Sequence, residues 1–395
     1  MKATSMLHDP SKSRAWLERV RDLASEIRHV STRAPRARKL HDAVVDRLRT
    51  AGLFRLLLPE AAGGAALDPL TFIEIIETLS KANSSAGWVV SQICVFSLQA
   101  TCMRDDVVAT IWGDANAVVA NGLPAGGHAI AVDNGYRVQG RFAFSSGCRH
   151  ATWIAAGAPV HENGKPRLNE HGTPELRFLF LRRQQVTLVD AWDVAGLQET
   201  GTDQFTIDDQ FVPSHFTAPS TTTSDGDGGR VNAIPMILYF AAGLASVGLG
   251  IARDALDTFA ELARSRTLAA SKDRLADQPL VQLQLARAEA VLRSARAFLY
   301  ATLGDAWAAI TSSTSISLEQ RALIRLASTN AMHRAAEAID LIYTIGGTAH
   351  IFADNPIQRC FQDIHVLTQH LQGRESHLAT VGQILLGNRA PQPFI

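Results

Sequence analysis

The sequence predicts three consecutive parts: an N-terminal all-α domain, a middle β-barrel or sandwich domain, and a C-terminal four-helix bundle. Three observations carry this. Apolar residues recur at helical spacing from about Ser11 to Trp112. The period shortens to that of strands from about Ala117 to Pro219, and it lengthens again from Pro235 to Leu386. The domains are accordingly 1–115, 116–229 and 230–395. A chain of 395 residues is long enough for two or three such units.

The first part is helical because Trp16, Val20, Leu23 and Ile27 form one stripe, continued by Val44, Val45, Leu48 and Leu53. Gly52 and the stretch from Pro59 to Gly64 punctuate it as helix-ending and loop signals. In the middle part, Gly135 to Phe144 alternates like a strand pair. Leu176–Leu181 and Phe205–Val212 alternate in the same way, with Gly, Asn and Asp between. The segment Thr221–Gly229 is small, polar and glycine-rich, which predicts a mobile loop. Beyond it, Leu280–Leu303 and Leu318–Ile345 are long periodic runs rich in Ala, Leu and Arg. Four or five such helices pack as an antiparallel bundle.

Composition excludes several function classes. Hydrophobic residues make up 46% and charged residues 19%, an ordinary globular balance. Lys+Arg and Asp+Glu both number 38, so no basic field exists to hold a nucleic acid or an anionic membrane. The run Ala233–Ile251 is apolar but broken by Pro235 and glycines, so it reads as a buried bundle helix and not a membrane span. The first twenty residues lack the apolar core of a signal peptide. Cys94, Cys102, Cys148 and Cys360 are scattered, without a C-x-x-C pair or clustered histidines. Reduced thiols, a cytoplasmic location and no metal site are expected. No G-x-G-x-x-G and no P-loop are present, so a nicotinamide site is not expected.

Four motifs carry chemistry. Ser85-Ala-Gly-Trp88 reads as a helix start capped by Ser84 or Ser85, with Trp88 as core. In Arg141-Phe-Ala-Phe-Ser145-Ser146-Gly147-Cys-Arg-His150-Ala-Thr-Trp153, a polar strand end meets a glycine that permits close backbone approach. His150 in that stretch reads as a surface or supporting residue. Trp192-Asp-Val-Ala-Gly196-Leu-Gln-Glu-Thr200-Gly201-Thr202-Asp203 offers hydroxyls and backbone N–H groups suited to an anionic or carbonyl-rich edge. The last is Gly346-Gly347, followed by Asn355-Pro356-Ile-Gln-Arg359 and Phe361-Gln-Asp363-Ile-His365 through His370. Pro356 after Asn355 is a sound helix start, and Arg359 and Asp363 at i, i+4 can pair.

Together, in order and spacing from about Leu40 to Gly387, these motifs resemble the flavin-dependent monooxygenases built on the acyl-CoA dehydrogenase fold. The resemblance implies an acyl-CoA dehydrogenase-like fold that binds reduced flavin (FADH2 or FMNH2) and uses O2 as co-substrate. Ser145, Ser146, Gly147, Trp153, Thr200, Gly201, Thr202, Gly346 and Gly347 would face the flavin. Arg264 and Arg266 resemble the family's phosphate-contacting arginines. Trp88, Phe96, Trp192 and Phe240 would wall the substrate pocket. The implied partners are a small aromatic substrate, a separate flavin reductase and further copies of the chain in a homotetramer. Many relatives carry a His about two turns after the Trp; here that neighbourhood reads Val95-Phe96-Ser97, which favours an indole over a simple phenol.

A dehydrogenase of the same fold needs a carboxylate base, usually a Glu directly before a Gly near the last helices. This sequence has His370-Leu371-Gln372-Gly373 there, with Glu375 as the nearest acid, and Tyr239-Phe240 at the other position some dehydrogenases use. His370 is the natural replacement, with His365 second, because an imidazole titrating near neutrality can deprotonate a phenol or an indole N–H. The expected reaction is hydroxylation or epoxidation of a small aromatic through a C4a-(hydro)peroxyflavin supported by Ser146. The alternatives are an acyl-CoA dehydrogenase and a non-catalytic flavin-fold binding protein.

Overall fold

A computed structural model describes residues 10–33, 37–169, 172–220, 230–267, 273–310 and 315–388. The predicted loop Thr221–Gly229 lies outside the described residues. Five helices come first: α1 (Pro10–Arg33), α2 (Asp42–Thr50), α3 (Pro69–Ala82), α4 (Ser84–Phe96) and α5 (Asp105–Trp112). Nine strands follow: β1 (Val119–Pro124), β2 (His128–Val132), β3 (Gly135–Ser145), β4 (Trp153–Glu162), β5 (Lys165–Pro166), β6 (Leu176–Arg182), β7 (Thr187–Val189), β8 (Asp203–Pro213) and β9 (Thr217–Pro219). The chain then returns to helix with α6 (Met236–Ser265), α7 (Pro279–Ala309), α8 (Leu318–Gly346), α9 (Pro356–Thr368) and α10 (Ser376–Leu385).

The helices begin where side chains satisfy their free N–H groups. Asp68 accepts from the N–H of Leu70 and Thr71 at the start of α3, with Pro69 in the first turn. Ser317 and Gln320 form a capping box on α8. Asn355 caps α9 ahead of Pro356, as the sequence leads one to expect. On α4 the cap is Asn83, whose side chain accepts from Ala86 N at 2.8 Å. The two serines expected to cap this helix lie inside it, which frees the Ser84 hydroxyl for another partner.

The strands form one sheet in the order β7-β8-β3-β1-β4-β6-β9, with β2 and β5 off that path. Most pairs are antiparallel, whereas β4 runs parallel to β1 and β2. Residues Gly135–Phe144 are one strand and not the expected pair. Gly140, at φ +104°, makes a bulge and not a turn, since a Cβ there would come within 2.7 Å of the Gly127 backbone.

One apolar core runs through α1–α4 and continues into α6–α9 without a break. A second core fills the sheet around Phe142 and Phe205, which stack at 5.2 Å. A third packs α5 and the end of α4 on the sheet through Phe96, Trp112, Trp153, Phe178 and Phe180. Helix α6 is long and apolar enough to cross a membrane, but 83% of its most apolar stretch is buried among the other elements. That is the behaviour of a bundle core helix.

Candidate active site

The three parts meet where α4, the end of β3 and the loop before β8 converge beside α9. Strand β3 leaves the sheet through a register shift between Phe142 and Ser145, with Phe144 at φ +60°. Gly147 turns at φ +72°, and a Cβ there would come within 2.9 Å of Val89 Cγ1 on α4. Only glycine lets this loop lie on the helix. The loop is fastened to the second one by Gly147 N–H donating to Thr200 O at 2.9 Å.

A chain of hydroxyls links these loops. Trp88 Nε1 donates to Ser146 Oγ at 3.0 Å. Ser146 Oγ lies 2.9 Å from Thr202 Oγ1, and Thr202 Oγ1 lies 2.7 Å from Thr200 Oγ1. Thr200 Oγ1 donates to Leu197 O at 2.8 Å. All four polar side chains are buried or nearly so. Leu197 itself sits in the left-handed region at φ +51°. The glycine turn offers its side-chain hydroxyls, while the N–H groups of Gly147, Thr200 and Gly201 are engaged within the loops.

His370 closes the site on the bundle side, its ring 5.3 Å from Trp88 in an edge-to-face arrangement. Burial, and then the charge of Arg374, lowers its pKa to about 4. The ring is therefore neutral at physiological pH, not poised near neutrality. Gln372 N donates to His370 Nδ1 at 3.2 Å. A backbone N–H can only donate, so the ring proton sits on Nε2. His370 Nε2 is thus placed as a hydrogen-bond donor.

No carboxylate replaces it. Gln372 is buried, and its Oε1 accepts from the fully buried Arg325 at 2.6 Å. Burial holds the Arg325 guanidinium down to about 10. Glu375 faces solvent. Tyr239 is buried, with its hydroxyl unpaired and burial pushing its pKa up.

Asp363 ties the site together from α9. It accepts from the Ser84 hydroxyl of α4, and from Leu197 N at 2.6 Å. The expected pairing with Arg359 is looser, at 3.8 Å. Burial raises the Asp363 pKa, with Arg359 opposing. Asn83 and Arg359 both reach Glu199 Oε2, at 2.8 and 3.4 Å.

Several expected site residues stand elsewhere. His365 Nε2 contacts Asp340 Oδ1 at 3.0 Å and lines a cleft of ≈ 570 Å³ between α8 and α9, so it faces away from Trp88. Phe96 is an interior residue of the third core, 4.9 Å from Phe178. Trp153 lies between Phe216 and the Arg182 guanidinium, whose carbon is 4.5 Å from the ring. Phe240 packs between the first and third cores. Trp192 is half-buried and donates to Leu197 O at 3.1 Å. His150 is half-buried near Asp42, at 3.9 Å, and burial lowers its pKa.

Gly346, Gly347, Arg264 and Arg266 form a second group. They lie towards the other end of α8, about 30 Å from Arg325 at 1.5 Å per residue. Gly347 adopts φ +60°, ψ −147°, which is open to glycine alone. Both arginines are exposed, and the charge of Arg266 helps lower the pKa of the buried His350 after burial itself.

Two further residues belong to the first group. Phe144 is 65% exposed at a backbone angle rare for aromatic residues. Gln92 lies one turn after Trp88, with its amide nitrogen buried and unpaired. Ser145 Oγ likewise has no partner beyond the weak Cys148 thiol. A solvent-facing aromatic and unspent polar atoms beside a hydroxyl row fit the flat, heteroatom-rich edge of a flavin.

The chain is similar to known proteins along most of its length. Residues 10–101 match the family described as acyl-CoA dehydrogenase, N-terminal domain, and residues 242–375 match its C-terminal domain. The chain is 32% identical to an indole-3-acetate monooxygenase of Pseudomonas putida over 85% of its length and 84% of the relative's. It is 28% identical to a flavin-dependent monooxygenase oxygenase subunit, HsaA, of Rhodococcus jostii, over 90% and 93%. Among solved structures, XiaF from Streptomyces, in complex with FADH2 and glycerol, superposes with a TM-score of 0.86 at 23% identity, over 97% and 98% of the two chains.

Proposed function

Since the chain belongs to the flavin-dependent monooxygenases built on the acyl-CoA dehydrogenase fold, and is therefore an oxidoreductase, we propose that it oxygenates a small aromatic of the indole type. A separate reductase supplies the flavin. The observation that carries this reading is the pairing of Ser146 and His370 across Trp88, with Gln372 in the place where a dehydrogenase would keep its base.

Bound reduced flavin supplies the two electrons with which O2 is split, one oxygen atom entering the substrate and the other leaving as water. Ser145, Ser146 and Gln92 would hold its polar edge, and Phe144 would lie against it. His370 donates its Nε2 proton to a hydrogen bond on the oxygen that gains charge, and stays neutral while doing so. Trp88 holds Ser146 by its N–H and fixes the His370 ring by its face. The buried apolar surroundings keep water from the reacting atoms. Arg264, Arg266, Gly346 and Gly347 complete the cofactor site of a neighbouring copy, which accounts for two groups that no described contact joins. The similarity to an indole-3-acetate monooxygenase favours an indole over a simple phenol.

The test is to mix the purified protein with photoreduced FAD or FMN, then with ¹⁸O₂ and indole-3-acetate or resorcinol. Incorporation of one labelled atom into the aromatic product is expected, with the indole outpacing the phenol. Unlabelled aromatics, together with bleaching of oxidised flavin by an acyl-CoA, would transfer the chain to the dehydrogenases.

A further inference from the structure

The hydroxyl chain has two ends that cannot reverse. At one end stands an indole N–H, which only donates, and at the other a backbone carbonyl, which only accepts. Each hydroxyl between them carries a single proton. Thr200 spends its proton on Leu197 O and so must accept from Thr202. Thr202 has then spent its own and must accept from Ser146. Ser146 donates to Thr202 and accepts from Trp88, which leaves one lone pair and no proton for anything else.

We propose that Ser146 meets its ligand solely as a hydrogen-bond acceptor, so that Thr200 and Thr202 make the site select a ring edge bearing N–H, and hence reduced over oxidised flavin. This rests on the reading that flavin binds here. The ring nitrogens along the central edge of oxidised flavin are acceptors, and reduction adds an N–H. Opposite an obligate acceptor, the oxidised edge places lone pair against lone pair in a dry site, whereas the reduced edge gains a bond. Two threonines that need not touch the ligand thereby act as specificity-determining residues.

The experiment measures the dissociation constants of photoreduced and oxidised FMN under argon by fluorescence quenching, each with the same protein preparation. Wild type should bind the reduced form at least roughly tenfold more tightly. Thr202→Val frees the Ser146 proton, and the ratio should fall by roughly tenfold, chiefly through tighter binding of the oxidised form. Thr200→Val should lower it less, because Thr202 can then turn either way. Thr202→Ser restores the acceptor and should restore the ratio. Trp88→Phe should preserve the ratio, because Ser146 still donates to Thr202. Misfolding lowers both affinities together and leaves the ratio readable. An unchanged ratio in both valine variants overturns the inference while the flavin site stands. Wild type that binds neither form removes the flavin reading, and the inference falls with it.

Discussion

The two faces of α9 carry similar residues in opposite settings. One face, with Asp363 and the turn leading to His370, is pressed against α4 and the β-domain loops. Asp363 is buried with two donors, and His370 is held neutral by burial, with a backbone N–H on Nδ1. The other face looks into the α8–α9 cleft, where His365 meets Asp340 with both side chains more than a third exposed. A histidine and a carboxylate on the second face form a solvated pair that water and salt screen. On the first face each group is bound by partners whose hydrogen-bonding sense is already decided. The difference lies in burial and not in residue type.

Asp363→Ala should give the largest effect that tests this contrast. It strands the Ser84 hydroxyl and Leu197 N and releases the left-handed loop, which should cost about 2–4 kcal/mol in denaturant unfolding. A loss no greater than that of Asp340→Ala would erase the distinction between the faces.

His370→Ala should lower the oxygenation rate by roughly 10²–10³-fold, the usual loss for one donor at a charge-gaining oxygen, while flavin affinity changes little. His370→Gln, which retains an N–H donor, should recover part of it. Equal rates for the two variants would point to a base.

Acidity sharpens the comparison further. His370 has a folded pKa of about 4, below the ordinary value of 6.5, so the unfolded chain takes up the proton first. Its stabilising contribution is present above pH 6.5 and is lost as pH falls from there to about 4. His370→Gln should flatten the dependence of Tm on pH within that window. The oxygenation rate should show no inflection from this group between pH 6 and 8.

The smallest effect belongs to the cleft. His365→Ala should change stability by less than about 1 kcal/mol and leave the rate within roughly twofold of wild type.

Order and periodicity made the architecture readable. The stripe Trp16–Ile27, the alternation of Phe205–Val212 and the run Leu318–Ile345 all depend on neighbours in sequence, and all became the elements they suggested. Ser145 to Gly147 and Thr200 to Thr202 stood out because glycine and hydroxyl residues rarely combine so densely without a reason. Their pairing across 56 residues, and the proton direction it imposes, depends on tertiary contact and left no local trace. The run Gly135 to Phe144 misled because a glycine inside an alternating stretch marks a turn or a bulge equally well, and Gly140 makes a bulge. The setting of His365 was hidden because type and position say nothing about which partner takes the side chain first. Phe144 was visible only as one aromatic among several, and its exposure and backbone angle mark it in three dimensions. Gln92 offered no signal beyond its place one turn after Trp88.

The unbroken core from α1–α4 into α6–α9 bears on how this chain is made. The first hundred residues leave the ribosome with their apolar stripes uncovered, because the helix that buries them, Met236–Ser265, is encoded far downstream. The β domain emerges between them, with its own core already contained in what has been synthesised. At synthesis rates of about 5–20 residues per second, the early helices wait roughly ten seconds or more for their partner. During that interval the apolar stripes of α1–α4 lack the surface that covers them in the finished fold.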